Sequence, residues 1–278
     1  MRLSLPYPRT TILVTGATGV TLWSLLPFLW QVSTSLQNDK NLVAATPSLL
    51  PIPLTLDHYF NIFTAKSFHL YILNSTIVAG LTTLFTLAAG SLAAFALARL
   101  RVYHRFGILG LILSVSMFPQ ITIVAPLYLL AADLGLLDTY ASLVIVYLAL
   151  GLPLVIWVLF GYFQTIPVEI DEAATVDGAG PLRLFVSIIL PMSLPGLVTT
   201  GLLAFIAAWN EFMFALAFTS NIDHQTIPVG IANFTNLYYV PWGDIAAASV
   251  VVTIPLVLLV MFFQRHIVEG LTQGAVKE

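Results

Sequence analysis

The sequence predicts an all-α membrane protein: six transmembrane helices, with one further short helix outside the bilayer between the fourth and fifth. Three observations lead there. The 278 residues are 59% hydrophobic and only 8% charged, where a soluble domain is roughly 45–50% apolar and about 25% charged. Six apolar stretches come near the roughly 20 residues that cross a bilayer. Between two of them lies a polar island, Glu169 to Pro191, with four of the thirteen acidic residues. The spans should be helices, because a helix satisfies its own backbone polar groups inside hydrocarbon. The alternating ten-residue segments of a transmembrane β-barrel are absent. The chain is expected to be one transmembrane domain over 1–278.

The expected spans fall at about 11–32, 70–97, 107–130, 140–163, 195–218 and 245–263. The first has Trp23 and Trp30 toward its far end and no clear small-residue cleavage site. It reads as a retained span and not as a removed leader. Six spans put both termini on one side. Arg2, Arg9, Arg99, Arg101, Arg105, Arg183, Arg265 and Lys277 lie on that side, and only Lys40 and Lys66 on the other. The positive-inside rule then places both termini and the loop 164–194 in the cytoplasm.

Outside, the stretch Gln37 to Phe63 carries Pro47, Pro51 and Pro53, which should break any helix. Loop 131–139 is short and acidic. Loop 219–243 carries Asn221, Asp223, His224, Asn233, Asn236, Tyr238, Tyr239 and Trp242. That is either a surface for a sugar or protein partner, or an interfacial aromatic belt. Pro119, Pro126, Pro153, Pro195 and Pro255 lie inside or beside spans and are expected to kink them.

The polar island reads as a helix with built-in ends. Pro167 can open it. Glu169, Asp171 and Glu172 crowd the first turn, where carboxylates complement the helix dipole. Ala173 and Ala174 favour helix and keep its surface small. Asp177 follows, Gly178 and Gly180 stop the helix, and Pro181 prevents its continuation. Small residues permit close approach of another protein, and carboxylates can pair with its arginines. A solvated connector with ordinary capping would share the local features.

The spacing is more specific than that. Glu172-Ala173-Ala174, three residues, Gly178, nine residues, then Ile188-Ile189-Leu190-Pro191 resembles the cytoplasmic loop of permease subunits of ATP-binding-cassette (ABC) importers. Asn74-Ser75, the run Ala93 to Arg99, Met117-Phe118-Pro119, Gly135 to Tyr140, Ala208 to Phe212 and the tail Gly270 to Lys277 resemble the carbohydrate branch, and in particular the second permease of maltose- and trehalose-type importers. The resemblance implies a type I ABC-importer permease fold in the bacterial inner membrane. It implies a sister permease, two ATPase subunits and an external solute-binding protein as partners, with lipid around the spans. ATP and Mg would belong to the ATPases, and this chain would need no cofactor. The helix near 170–180 would be a coupling helix seated in an ATPase cleft, with Glu172 meeting an ATPase arginine and Gly178 letting the loop turn. The ATPase-coupling set is then Glu169, Asp171, Glu172, Ala173, Ala174, Asp177, Gly178, Ile188, Leu190 and Pro191. Gln273, Gly274 and Lys277 would reach the ATPases from the tail. The substrate implied is an α-glucoside such as trehalose or maltose, or a glucosyl compatible solute such as glucosylglycerol. Another importer class, for glycerol phosphate or a different oligosaccharide, stays open.

Asn210 and Glu211 are expected well inside the fifth span. An ionisable group there costs about 2.5–3.5 kcal/mol on insertion scales, so it should face a cavity or a partner. With Trp209, Gln120 and Thr122 they are candidates for the substrate path or a gate; a helix–helix hydrogen bond is the other reading. Asn74-Ser75-Thr76 matches a glycosylation sequon but reads as helix capping at the mouth of a span. With no Cys there is neither disulfide nor thiol chemistry. His58, His69, His104, His224 and His266 show no metal-ligand spacing, and no G-x-x-x-x-G-K-[ST] occurs. Net charge −3 gives no footprint for nucleic acid. A secondary transporter would need an ion relay spread over several spans, and an intramembrane enzyme a convergent catalytic set; neither pattern is present. The chain is expected to be a non-catalytic transport subunit.

Overall fold

The computed structural model describes residues 7–44, 50–100 and 102–273, and these are helical apart from loops and one isolated bridge, Gln37 to Leu54. The helices are α1 (Tyr7–Ser35), α2 (Asp39–Leu42), α3 (Asp57–Thr64), α4 (Phe68–Arg99), α5 (Arg105–Val115), α6 (Gln120–Asp133), α7 (Tyr140–Gln164) and α8 (Val168–Val176). Then come α9 (Pro181–Leu184), a π-helical turn (Phe185–Ile189), α10 (Leu190–Met192), α11 (Leu194–Trp209), α12 (Met213–Phe218), α13 (Ile227–Ala232) and α14 (Trp242–Gln273).

Among the described residues, four helices are long and apolar enough to cross a membrane: α1, α4, α7 and α14. Two more candidates are bent pairs. α5 and α6 meet at 85°, and the helix Pro181–Met192 meets α11 at 81°. Pro119 is the N-cap of α6, and Pro195 sits in the first turn of α11. A proline there supplies no donor to the helix before it and so marks a break. Pro126, Pro153 and Pro255 lie within continuous helices.

In the stretch Gln37 to Phe63, α2 precedes Pro51 and Pro53 and α3 follows them, and Pro47 lies outside the described residues. One expectation is corrected. The fifth span is not continuous over 195–218. α11 ends at Trp209, and Asn210 to Phe212 separate it from α12.

The chain divides into two units. The smaller comprises residues up to Phe68 together with Ile231–Ile254. Its polar centre is His58, buried, with Nδ1 2.9 Å from Asp244 Oδ1 and Nε2 2.9 Å from the Gln37 carbonyl oxygen. Asn61 donates to the other oxygen of Asp244 at 2.6 Å. Asp244 stands in the first turn of α14, where the helix dipole favours a carboxylate.

The larger unit comprises His69–Gly230 and the chain from Pro255 onward. Its core joins Phe95 and Leu97 of α4, Leu159, Phe160 and Phe163 of α7, Leu109 of α5, Leu184, Phe185 and Ile189. α4 and α7 approach closely at Gly90, where a Cβ would lie 2.5 Å from Val155 Cγ1. Small residues at such crossings let membrane helices pack by their backbones. At the other end of α4, Asn74 is buried within the helix and is no cap. Its amide donates to the carbonyls of Ile222 (2.9 Å) and Gln225 (2.8 Å), and its Oδ1 accepts from the Tyr140 hydroxyl at 2.7 Å. Ser75 Oγ accepts from the Ile227 amide at 2.8 Å. The resemblance to a sequon thus falls on a rivet holding the loop before α13. We expect Asn74→Ala to destabilise by about 2–3 kcal/mol, since it strands buried groups that each cost roughly 1–3 kcal/mol. A lowered midpoint in thermal unfolding of the detergent-solubilised complex checks this, and an unchanged midpoint contradicts it.

Candidate functional site: the α8 surface and a polar cavity

The loop between α7 and α9 is built around α8. Pro167 is its N-cap, with extended backbone (ψ 139°), and Glu169 and Asp171 occupy the first turn. Asp177 is the C-cap. Gly178 follows at φ +78°, its amide donating to the Thr175 carbonyl at 3.0 Å, while the Ala179 amide donates to the Ala174 carbonyl at 2.9 Å. That pair of bonds is a Schellman ending, which needs a left-handed residue and favours glycine.

The helix has a fixed face and a free face. Ala174 is 5% exposed and belongs to the core of the larger unit, with Ile170 and Ala179 packed against it. Asp171 turns the same way. Its Oδ2 lies 3.4 Å from Nη1 of Arg99, whose side chain is 7% exposed. Arg99 Nη2 also donates to the Ile166 carbonyl at 2.6 Å. One guanidinium therefore joins the end of α4, the turn after α7 and the inner face of α8. Asp171 is consequently an internal anchor, not a surface carboxylate.

Glu169, Glu172, Ala173, Asp177 and Gly178 are exposed. Val176 is 89% exposed and Leu182 69%. These two apolar side chains, absent from the sequence-derived site, extend a small-residue surface flanked by carboxylates. Of the motif's far end, Ile188 and Leu190 pack against the core, and Pro191 is exposed just before the 81° bend. The π turn ends at Ile189, immediately before Leu190 and Pro191. π turns inside helices are commonly found at functional sites. Gln273 is the last described residue; Gly274 and Lys277 lie outside the described residues.

The second group of predicted residues separates. Gln120 and Glu211 line one cavity of about 150 Å³, together with Thr82, Thr86 and Tyr147. Thr122 and Asn210 are exposed, their side chains bonded to the carbonyls of Pro119 (2.7 Å) and Ile206 (2.8 Å). Trp209 is 4% exposed and stacks on Phe205, with ring centroids 5.5 Å apart. It packs in the core and does not line the cavity. Glu211 is fixed by accepting from the amides of Phe214 (2.9 Å) and Ala215 (3.2 Å). It caps α12, which is why the apolar run can break there. Sequence reasoning missed Thr82, Thr86 and Tyr147, because isolated hydroxyls in apolar helices carry no distinguishing pattern.

Known proteins resemble this chain along most of its length. Residues 86–273 match the family model described as binding-protein-dependent transport system inner membrane component. The trehalose/maltose transport system permease protein of Thermococcus litoralis is 42% identical over 272 residues, 97% of each chain. The trehalose transport system permease protein of Mycobacterium tuberculosis is 40% identical, covering 97% of this chain and 98% of its own. The sulfoquinovosyl glycerol transport system permease protein of Agrobacterium fabrum is 38% identical, covering 91% and 89%. Among solved structures, a chain of a bacterial ABC transporter for the acidic polysaccharide alginate superposes with a TM-score of 0.78 at 21% identity, over 95% of this chain and 99% of its own. Its likeness bears on the fold, which is that of a type I ABC-importer permease. The chain belongs to the family of binding-protein-dependent transport system inner membrane components, as a multi-pass, non-catalytic membrane subunit.

Proposed function

We propose that the chain is the second permease subunit of an ATP-driven importer for a sugar, an α-glucoside such as trehalose or maltose or a glucosyl compatible solute. Relatives at 42% and 40% identity, named for trehalose and maltose, support that substrate class. The family description supports an external solute-binding protein as partner. A sister permease and two ATPase subunits, which would carry ATP and Mg, complete the importer. Both termini and the α8 loop face the cytoplasm, in keeping with the arginine distribution.

The observation that carries this reading is the two-sided construction of α8. Its exposed side offers Glu172, Ala173 and Val176 to a cleft in an ATPase. Its inner side is held by Ala174 and the Asp171–Arg99 pair. A helix anchored in this way moves as a piece with the elements it is tied to. ATP binding and hydrolysis on the partners shift the balance between inward- and outward-open states through their different affinity for each. Substrate passes by way of Gln120 and Glu211; Thr122, Trp209 and Asn210 affect the path only through the helix ends that they secure.

The absence of native cysteine makes the test clean. Ala173→Cys or Val176→Cys places one thiol on the exposed face, for crosslinking within the co-expressed complex. We expect a crosslink to a subunit carrying a P-loop, and protection from thiol reagents added outside intact cells. Labelling from outside, or no ATPase adduct from either position, contradicts the reading.

A further inference from the structure

Among the threonines of the apolar helices, most close their hydroxyl onto the carbonyl four residues back. Thr76, Thr83, Thr200 and Thr219 do so at 2.6–2.7 Å. Thr82 and Thr86 do not. Both are at most 2% exposed, and neither hydroxyl has a hydrogen-bond partner among the described residues. The Tyr147 hydroxyl, on a residue 3% exposed, is directed at the Glu211 carboxylate. All three residues line the cavity that Gln120 and Glu211 also line. Thr82 and Thr86 are one turn apart on the same face of α4, and Tyr147 faces them from α7. An unpaired buried hydroxyl is costly and rare, so two on one cavity, beside a tyrosine and a carboxylate, call for a role.

We infer that this cavity is a binding subsite of this chain for one ring of a neutral saccharide, with Thr82, Thr86 and Tyr147 pairing with the ring hydroxyls. A sugar hydroxyl both donates and accepts, as do these three groups. The Gln120 amide adds donors, and the Glu211 carboxylate is held in place by the two amides of α12 and keeps lone pairs for accepting. Leu154 and neighbouring apolar residues offer a surface for C–H groups. Among the described residues, no Lys, Arg or His lines the cavity. A phosphorylated, sulfonated or uronic substrate would meet the Glu211 carboxylate with no cation to offset it. The subsite therefore selects for charge as well as for hydroxyls.

This inference rests on the sugar-import reading above, and the test separates the two. The complete importer is reconstituted in proteoliposomes with radiolabelled trehalose, maltose or glucosylglycerol. Sugar accumulated per ATP hydrolysed and the thermal midpoint are both measured. Thr86→Val and Tyr147→Phe keep the volume and remove one hydroxyl each. Each should lower sugar per ATP roughly threefold to tenfold, the scale of one lost hydrogen bond. In Thr86→Val the thermal midpoint should stay level or rise, because a stranded polar group is gone. Thr76→Val, on an exposed hydroxyl bonded to Ile72, should change neither reading. If both cavity variants match wild type in sugar per ATP, the subsite is wrong and import stands. If sugar per ATP and the midpoint fall together in Thr86→Val, the hydroxyl serves packing and the subsite is again wrong. If the wild-type complex accumulates none of the three, the import reading itself fails, and the subsite with it.

Discussion

Glu172→Ala gives an inserted, folded subunit whose importer has lost most of its sugar uptake. Glu172 is exposed and has no hydrogen-bond or ion-pair partner among the described residues. Surface substitutions of that kind usually change folding stability by no more than about 0.5 kcal/mol. A large functional loss must then arise where Glu172 meets another chain. Truncating one partner of a charge pair that becomes buried on docking costs about 2–5 kcal/mol, enough to release the ATPase or to separate hydrolysis from transport. Glu172→Asp should recover part of the loss. Gly178→Val is the companion variant. A side chain there would touch nothing within 4 Å, but the backbone stands at φ +78°, which costs an ordinary residue about 1–2 kcal/mol and more for a β-branched one. The end of α8 should then reorient while its surface chemistry stays the same. Uptake and ATPase rate in proteoliposomes, with ATPase recovered on co-purification, are the measurements. Normal uptake by both variants would remove α8 from the coupling role.

The parts of this site that could be read from sequence are those announced by backbone chemistry. Pro167 stands one residue before α8, Gly178 two residues after it, and Pro181 opens α9; no tertiary contact is needed to see it. What could not be read is what meets what. Arg99 counts along the chain as one more cytoplasmic charge, and Asp171 as one more acid in a first turn. Their pairing arises only when α4 and the turn after α7 converge, and no local period encodes it. The break at Asn210 to Phe212 was hidden for a different reason. Apolar residues on both sides keep the hydropathy continuous, and the one signal, Glu211, reads equally as a buried group in an intact helix. Only its bonds to Phe214 and Ala215 show that it replaces backbone partners lost at a helix start. Thr82 and Thr83 differ even less in sequence, yet the Thr83 hydroxyl is bonded to its own helix and that of Thr82 has no partner among the described residues.

The pair Arg99–Asp171 should show the largest effect on the assembled fold. Arg99→Ala leaves Asp171, whose side chain is 16% exposed, without its cation and leaves the Ile166 carbonyl without its donor. Breaking a buried pair from one side typically costs about 3–5 kcal/mol. Arg99→Lys should recover only part of it, because an ammonium lacks the fork that reaches Asp171 and Ile166 together. Asp171→Asn alone should also destabilise, by leaving the guanidinium uncompensated. An apolar double replacement, Arg99→Met with Asp171→Leu, should restore much of the stability, since well-packed apolar substitutes for a buried pair are often neutral. The double variant then addresses transmission. From Arg99 to Thr86 is thirteen residues along α4, about 20 Å at 1.5 Å per residue, so a displacement of α8 reaches the cavity through one continuous helix. If directional bonds from Arg99 are what tie α8 to α4, the double variant regains its thermal midpoint but still hydrolyses ATP with reduced sugar uptake. Full recovery of both readings would show that any packed contact at this junction suffices, and single variants as stable as Glu169→Ala would show that the pair contributes nothing.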